Sequence, residues 1–146
     1  MAQLEVGIQI NRPIEEVFAI LGNPENGPKW SSGSSEVMIT SPGPIGVGTT
    51  YRSVRKFLGQ RIESETEVTE YEPNQRIASK SISGPFPMES SVTFEPVKGG
   101  TRVTAILVGE PGGFFKLAEP VLVSRMKQQF ETDLAKLKDM METGAL

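Results

Sequence analysis

The stretch from Gly113 to Glu142 sets the terms for the rest of this chain. Phe115, Ala118, Leu122, Met126, Phe130, Leu134, Leu137 and Met141 recur every three or four residues, the period of a helix with one apolar stripe. Arg125, Lys127, Gln128, Glu131, Lys136, Asp139 and Glu142 fall on the opposite face. At about 1.5 Å per residue the stretch runs roughly 40 Å. That is about the width of a compact domain of this length. One helix therefore crosses the molecule, and everything upstream has to cover its stripe.

What lies upstream reads as short strands joined by tight turns. Leu4, Val6, Ile8 and Ile10 alternate with Glu5, Gly7, Gln9 and Asn11, the period of a strand with one apolar face. Asn11 or Arg12 then precedes Pro13, a residue suited to a first helical position, and Glu15 and Glu16 follow in the first turn. Ile14, Val17, Phe18 and Leu21 form the stripe of this short helix. Asn23 is placed to cap a second short turn, Pro24-Glu25-Asn26, ended by Gly27-Pro28. Further strands are expected over 36–40, 49–58, 61–71, 76–83, 86–96 and 101–109, with turns at Ser41-Pro42-Gly43-Pro44, Gly59-Gln60, Pro73-Asn74, Gly84-Pro85 and Lys98-Gly99-Gly100. In 61–71, Glu63, Glu65 and Glu67 share the wet face, which leaves Ile62, Ser64, Thr66 and Val68 facing inward. Consecutive hairpins make a largely antiparallel sheet. A twisted sheet of six or seven strands curls, and one amphipathic helix fills its concave side. The fold class expected is α+β: a curved antiparallel sheet gripping a long C-terminal helix, with one or two short helices after the first strand. A single domain spanning residues 1–146 is expected.

Composition narrows the chemistry. The chain has no cysteine and no histidine, so thiolate chemistry is excluded and both the commonest metal ligand and the usual general base are missing. No metal or cofactor is expected. A formal net charge of −3 and pI near 5.1 make nucleic acid and anionic membrane poor partners. Met1-Ala2-Gln3-Leu4-Glu5 has neither the charged nor the apolar region of a signal peptide, and no apolar run approaches membrane-spanning length. A cytoplasmic protein without stable membrane insertion is expected. A homodimer is compatible with the sequence.

The order of elements resembles the helix-grip fold of the START-like proteins, the SRPBCC superfamily, and within it the polyketide cyclase/dehydrase-like branch. The resemblance is carried by Ile10-Asn11-Arg12-Pro13-Ile14-Glu15-Glu16-Val17-Phe18, by Asn23-Pro24-Glu25-Asn26 with Trp30, and by Val47-Gly48-Thr49. It continues through Gly59-Gln60-Arg61, Val68-Thr69-Glu70-Tyr71-Glu72-Pro73, Thr93-Phe94-Glu95-Pro96, Gly100-Thr101-Arg102-Val103 and Asp133-Leu134-Ala135-Lys136-Leu137-Lys138. It implies a deep apolar cavity between sheet and long helix. Lipid carriers, plant hormone binders, polyketide cyclases and aromatases, and co-chaperones share this fold, so it does not select among functions.

The inward strand faces carry the chemistry that can be read. Ser64, Thr66, Ser79, Ser81 and Ser90 stand where a sealed core would place Val, Leu or Ile. Small hydroxyls leave volume and need partners. They mark either a ligand cavity with a few hydrogen-bonding groups or strands whose serines meet water near a sheet edge. Trp30, Met38, Tyr51, Phe57, Met88, Phe115, Leu122 and Met126 are the apolar wall candidates, and suggest a site only as a set. Arg52, Arg55, Lys56 and Arg61 make a basic patch on one hairpin. It either meets an anionic ligand group or pairs with Glu63, Glu65 and Glu67 on a solvated face. If Arg55 shares the inward face with Tyr51 and Ser53, it is the best candidate to orient a polar ligand group. Gly112-Gly113 and Pro120 allow a hinged segment, Phe114 to Glu119, over a cavity mouth; they equally allow a helix that starts at Pro120.

No catalytic constellation stands out: there is no Ser-His-Asp set, no zinc spacing, no phosphate loop and no inward carboxylate to serve as base. The expected function is binding or carriage of a small hydrophobic or amphipathic molecule of lipid, polyketide or isoprenoid type. The alternatives are a polyketide cyclase/dehydrase-type enzyme using the same cavity, and a co-chaperone-like interaction domain with the groove packed shut.

Overall fold

The computed structural model describes residues 2–31, 33–57, 59–84, 87–109 and 119–145. Strand β1 spans Ala2–Ile10 and leads into helix α1, Ile14–Leu21. A 3-10 turn at Pro24–Asn26 passes directly into a one-turn helix α2, Gly27–Trp30. Six strands follow: β2 Ser34–Ile39, β3 Thr50–Phe57, β4 Gln60–Glu72, β5 Arg76–Ser83, β6 Met88–Val97 and β7 Gly100–Gly109. Helix α3 spans Glu119–Glu142.

All neighbouring strands pair antiparallel, in the order β1-β7-β6-β5-β4-β3-β2. The order follows from the hairpins; only β1 joins out of sequence, against β7. Lys98-Gly99 closes β6 onto β7 with Gly99 at φ 87°, a conformation a side chain resists. Asn74 takes φ 62° in the β4–β5 turn, which asparagine tolerates. Register shifts interrupt β4–β5 between Glu65 and Thr66 and between Val68 and Glu70. Such bulges bend a strand and increase its twist, which helps the sheet curl.

α3 is held unevenly. Leu134, Leu137 and Met141 in its C-terminal half are buried with Leu4, Val6, Ile10, Val17, Phe18, Phe94 and Val103. Phe18 meets both Tyr71 and Phe94 edge to face, with ring centroids 5.5 and 5.0 Å apart. The end of the helix is tied to the end of β1: Asn11 N donates to Glu142 Oε2 at 2.8 Å, and Lys138 Nζ donates to Gln9 O at 2.8 Å and to Glu142 Oε2 at 2.6 Å. These bonds, Lys138 first, hold the Glu142 carboxyl below the usual range. In the N-terminal half, Val123, Met126 and Phe130 are only half-buried.

Two local expectations are corrected. Pro13 stands just outside α1 at ψ 147° and its carbonyl accepts from Glu16 N and Val17 N, so the helix starts one residue later. Asn23 Oδ1 does cap Glu25 N at 3.0 Å, but Gly27-Pro28 opens α2 instead of ending the turn. A proline in a first turn loses no bond the helix needs. The Gly113–Ala118 part of the expected long helix, and the hinged segment before Glu119, lie outside the described residues.

Candidate functional site

Strand alternation turns Tyr51, Ser53 and Arg55 of β3, Ile62, Ser64 and Thr66 of β4, Ser79 and Ser81 of β5, and Met88 and Ser90 of β6 to the concave side. Val123, Met126, Gln129, Phe130 and Asp133 of α3 face them, and Trp30 and Ser31 close one flank. Between them lies a cavity of about 360 Å³. A second lobe of about 220 Å³ continues it toward Leu21, Val68, Ile77, Val92, Val103, Ala105 and Leu134. The two share Pro24, Trp30, Tyr51, Ser79, Ser90, Leu107 and Phe130, so those residues form the waist between the lobes. Among the described residues the smaller lobe carries no ionisable side chain other than the Tyr51 phenol at the waist.

The hydroxyls partner one another across strands. Ser53 Oγ and Ser64 Oγ lie 3.1 Å apart, Ser79 Oγ and Ser90 Oγ 2.8 Å apart, and Ser81 Oγ accepts from Met88 N at 2.9 Å. Each pair sits at matched register, Ser53 opposite Ser64 and Ser79 opposite Ser90. Mutual bonding offsets the cost of holding polar groups away from bulk water.

One charged relay enters the cavity. Arg55 Nη2 donates to Ser31 Oγ at 2.6 Å, and Ser31 Oγ donates to Asp133 Oδ2 at 3.2 Å. Ser31 and Asp133 are both buried, Asp133 at 4% exposure. Arg55 is exposed as a whole residue, and it lines the cavity wall. Burial pulls its pKa below the ordinary guanidinium value, with the Asp133 charge and then Tyr51 opposing. Arginine stays charged through such a shift. Asp133 is absent from the candidates that the sequence supplies.

Burial likewise raises the Tyr51 phenol above the ordinary 10.0, against the Ser79 and Thr66 hydroxyls and the Arg55 charge. The phenol therefore stays neutral and able to donate at neutral pH. A raised pKa in the folded state means stability that is full below the unfolded value and is lost as pH climbs through the folded one. Chemical denaturation between pH 8 and 11 should therefore show Tyr51→Phe losing stability less steeply than the parent as pH passes about 10. Parallel curves would show that the phenol is not the group responsible.

The other sequence candidates fall out as follows. Trp30, Tyr51, Arg55, Ser64, Thr66, Ser79, Ser81, Met88, Ser90 and Met126 are brought together around the cavity. Met38 is not: it is 47% exposed, and Val37 lines the cavity in its place. Phe115 and the side chains of Phe57 and Leu122 lie outside the described residues. The basic patch divides. Arg52 and Arg61 bond Glu63 on the convex face at 2.5 and 3.1 Å, whereas Arg55 turns inward.

A curled antiparallel sheet with a C-terminal helix across its hollow, enclosing a lined cavity, defines the helix-grip fold of START-like proteins. The chain belongs to the polyketide cyclase / dehydrase and lipid transport family, whose model matches residues 1–142. It is 33% identical over 96 residues to uncharacterised proteins of Mycobacterium bovis and Mycobacterium tuberculosis, a match covering 62% of this chain and 54% of theirs. The matched segment thus spans about half the length of those relatives.

Solved structures share the fold. A protein of Thermus thermophilus superposes with a TM-score of 0.86 at 21% identity, covering 99% of this chain and 100% of its own. The Zhui aromatase/cyclase of Streptomyces sp. R1128 gives 0.73 at 12% identity over 95% and 94%. A START superfamily protein of Mycobacterium smegmatis gives 0.71 at 18% identity over 92% and 98%. Among the described residues no helix is long and apolar enough to cross a membrane.

Proposed function

We propose that this protein binds a small hydrophobic or amphipathic molecule between its sheet and α3. The observation that carries the reading is the two-lobed cavity, with apolar walls, self-bonded hydroxyls and one inward arginine. Removing apolar surface from water drives entry, and the few polar groups set orientation.

Native mass spectrometry of protein purified from its own source, with thermal melts in the presence of hydrophobic compounds, tests the reading. A retained small molecule, or stabilisation that grows with ligand, is expected; a ligand at a hundred times its Kd adds about 2.7 kcal/mol. Ligand-free protein whose melting no hydrophobic compound shifts would overturn it.

One observation favours a second reading, a cyclase/dehydrase-type enzyme. Asp133 brings a carboxylate to the cavity, joined through Ser31 to a guanidinium that can stabilise an enolate, with the Tyr51 phenol on the same wall. Under that reading Tyr51→Phe or Arg55→Ala removes product formation while folding survives; unchanged turnover would exclude those roles. A cavity of this size weighs against the third expectation, a groove packed shut for protein interaction.

A further inference from the structure

We infer that the ligand is a carboxylate-bearing amphiphile, its head on the Arg55 guanidinium and its chain passing the waist into the smaller lobe. This rests on the binding reading above and narrows it.

Arg55 has five N–H donors. Among the described residues its guanidinium makes one hydrogen bond, to Ser31 Oγ. Asp133 reaches it through that hydroxyl, so the countercharge steadies the side chain while the rest of the planar fork faces the cavity. Two parallel N–H groups on a fixed plane match the two oxygens of a carboxylate. The serine pairs already bond each other, which leaves Arg55 as the strongest polar group addressed to a guest.

The remaining charges do not compete. Lys56, Lys80 and Glu89 also border the cavity, but the alternation set by inward Arg55, Ser79, Ser81 and Ser90 directs their side chains toward the convex face. The inward ionisable groups among the described residues are therefore Arg55, Asp133 and the neutral Tyr51. A single cation suits a monoanionic head; a phosphate dianion would call for a second.

The far lobe supplies the other half of the match. Its walls are aliphatic and aromatic with a few serines, and it opens at the waist that Trp30, Tyr51 and Phe130 define. An alkyl chain there loses contact with water, and a charged head there would find no partner.

The test is competition between dodecanoate and dodecan-1-ol for the uncharged fluorescent probe N-phenyl-1-naphthylamine, at neutral pH, on the parent and on Arg55→Met. The acid should displace the probe at least about tenfold more tightly than the alcohol on the parent, the scale of one charge-assisted bidentate contact. On Arg55→Met that ratio should fall to near one. Equal displacement by acid and alcohol on the parent overturns the carboxylate assignment and leaves the binding reading standing. So does a preference for the acid that survives in Arg55→Met. If neither compound nor the probe binds the parent, the binding reading itself fails. The parent comparison decides the question even if the variant does not fold.

Discussion

Leu137→Ala should unfold this protein at a markedly lower denaturant concentration, with a loss of about 2–5 kcal/mol. Leu137 has 0% exposure and sits where α3 meets β1 and α1. Removing its branch costs the lost burial plus the void left behind, because the core it shares with Leu4, Val6, Val17 and Met141 relaxes only in part. Two controls locate the effect. Val121→Ala, at a position 59% exposed, should change stability by less than about 0.5 kcal/mol. Met126→Ala, beside a cavity that already exists, should cost clearly less than Leu137→Ala. Equal losses at Met126 and Leu137 would show that the helix is packed along its whole length and that the cavity is not open.

Asp133→Ala should be the second large effect. It removes the acceptor of the Ser31 hydroxyl and the countercharge of Arg55 together. A buried donor left without its acceptor costs about 1–3 kcal/mol. Water entering the cavity beside Arg55 should hold the total toward the lower end. The informative measurement is the double-mutant cycle with Arg55→Met. Once the carboxylate is gone the arginine is a liability, so the double variant should lose less than the two single losses added, by about 0.5 kcal/mol or more. Strict additivity would mean that the relay through Ser31 carries no coupling.

Much of this architecture is written in periodicity. Leu4, Val6 and Ile10 alternate cleanly and are buried as the alternation requires. In β4, three glutamates on one face leave no choice about where Ser64 and Thr66 point. β2 carries no such instruction: Val37, Met38 and Ile39 are all apolar, so pattern alone does not say which faces in, and Met38 is the wrong choice. α2 is hidden for a different reason. Gly27-Pro28 signals a break, yet the proline occupies a first turn and the helix it opens delivers Trp30 and Ser31 to the cavity flank.

Asp133 is placed on neither face of the helix when the sequence is read, and no inward carboxylate is expected there. Its spacing says otherwise: it lies three residues after Phe130 and four before Leu137, on the apolar stripe itself. A lone charge at a stripe position, with an arginine free to approach from an inward strand face, is the signal that the sequence does hold. The pairing through Ser31 is not legible there, since it joins residues 24 and 102 positions apart.

The C-terminal half of α3 is clamped more tightly than the turns around Val123 and Met126. The turns that carry Leu134, Leu137 and Met141 are buried in the core and bear most of the load, while those that carry Val123 and Met126 pack against it only in part and border the cavity. Substitutions at Val123 and Met126 can therefore reshape what the protein holds at a smaller cost to what holds the protein together. One helix supplies both an anchor that tolerates little change and a ceiling that is open to revision.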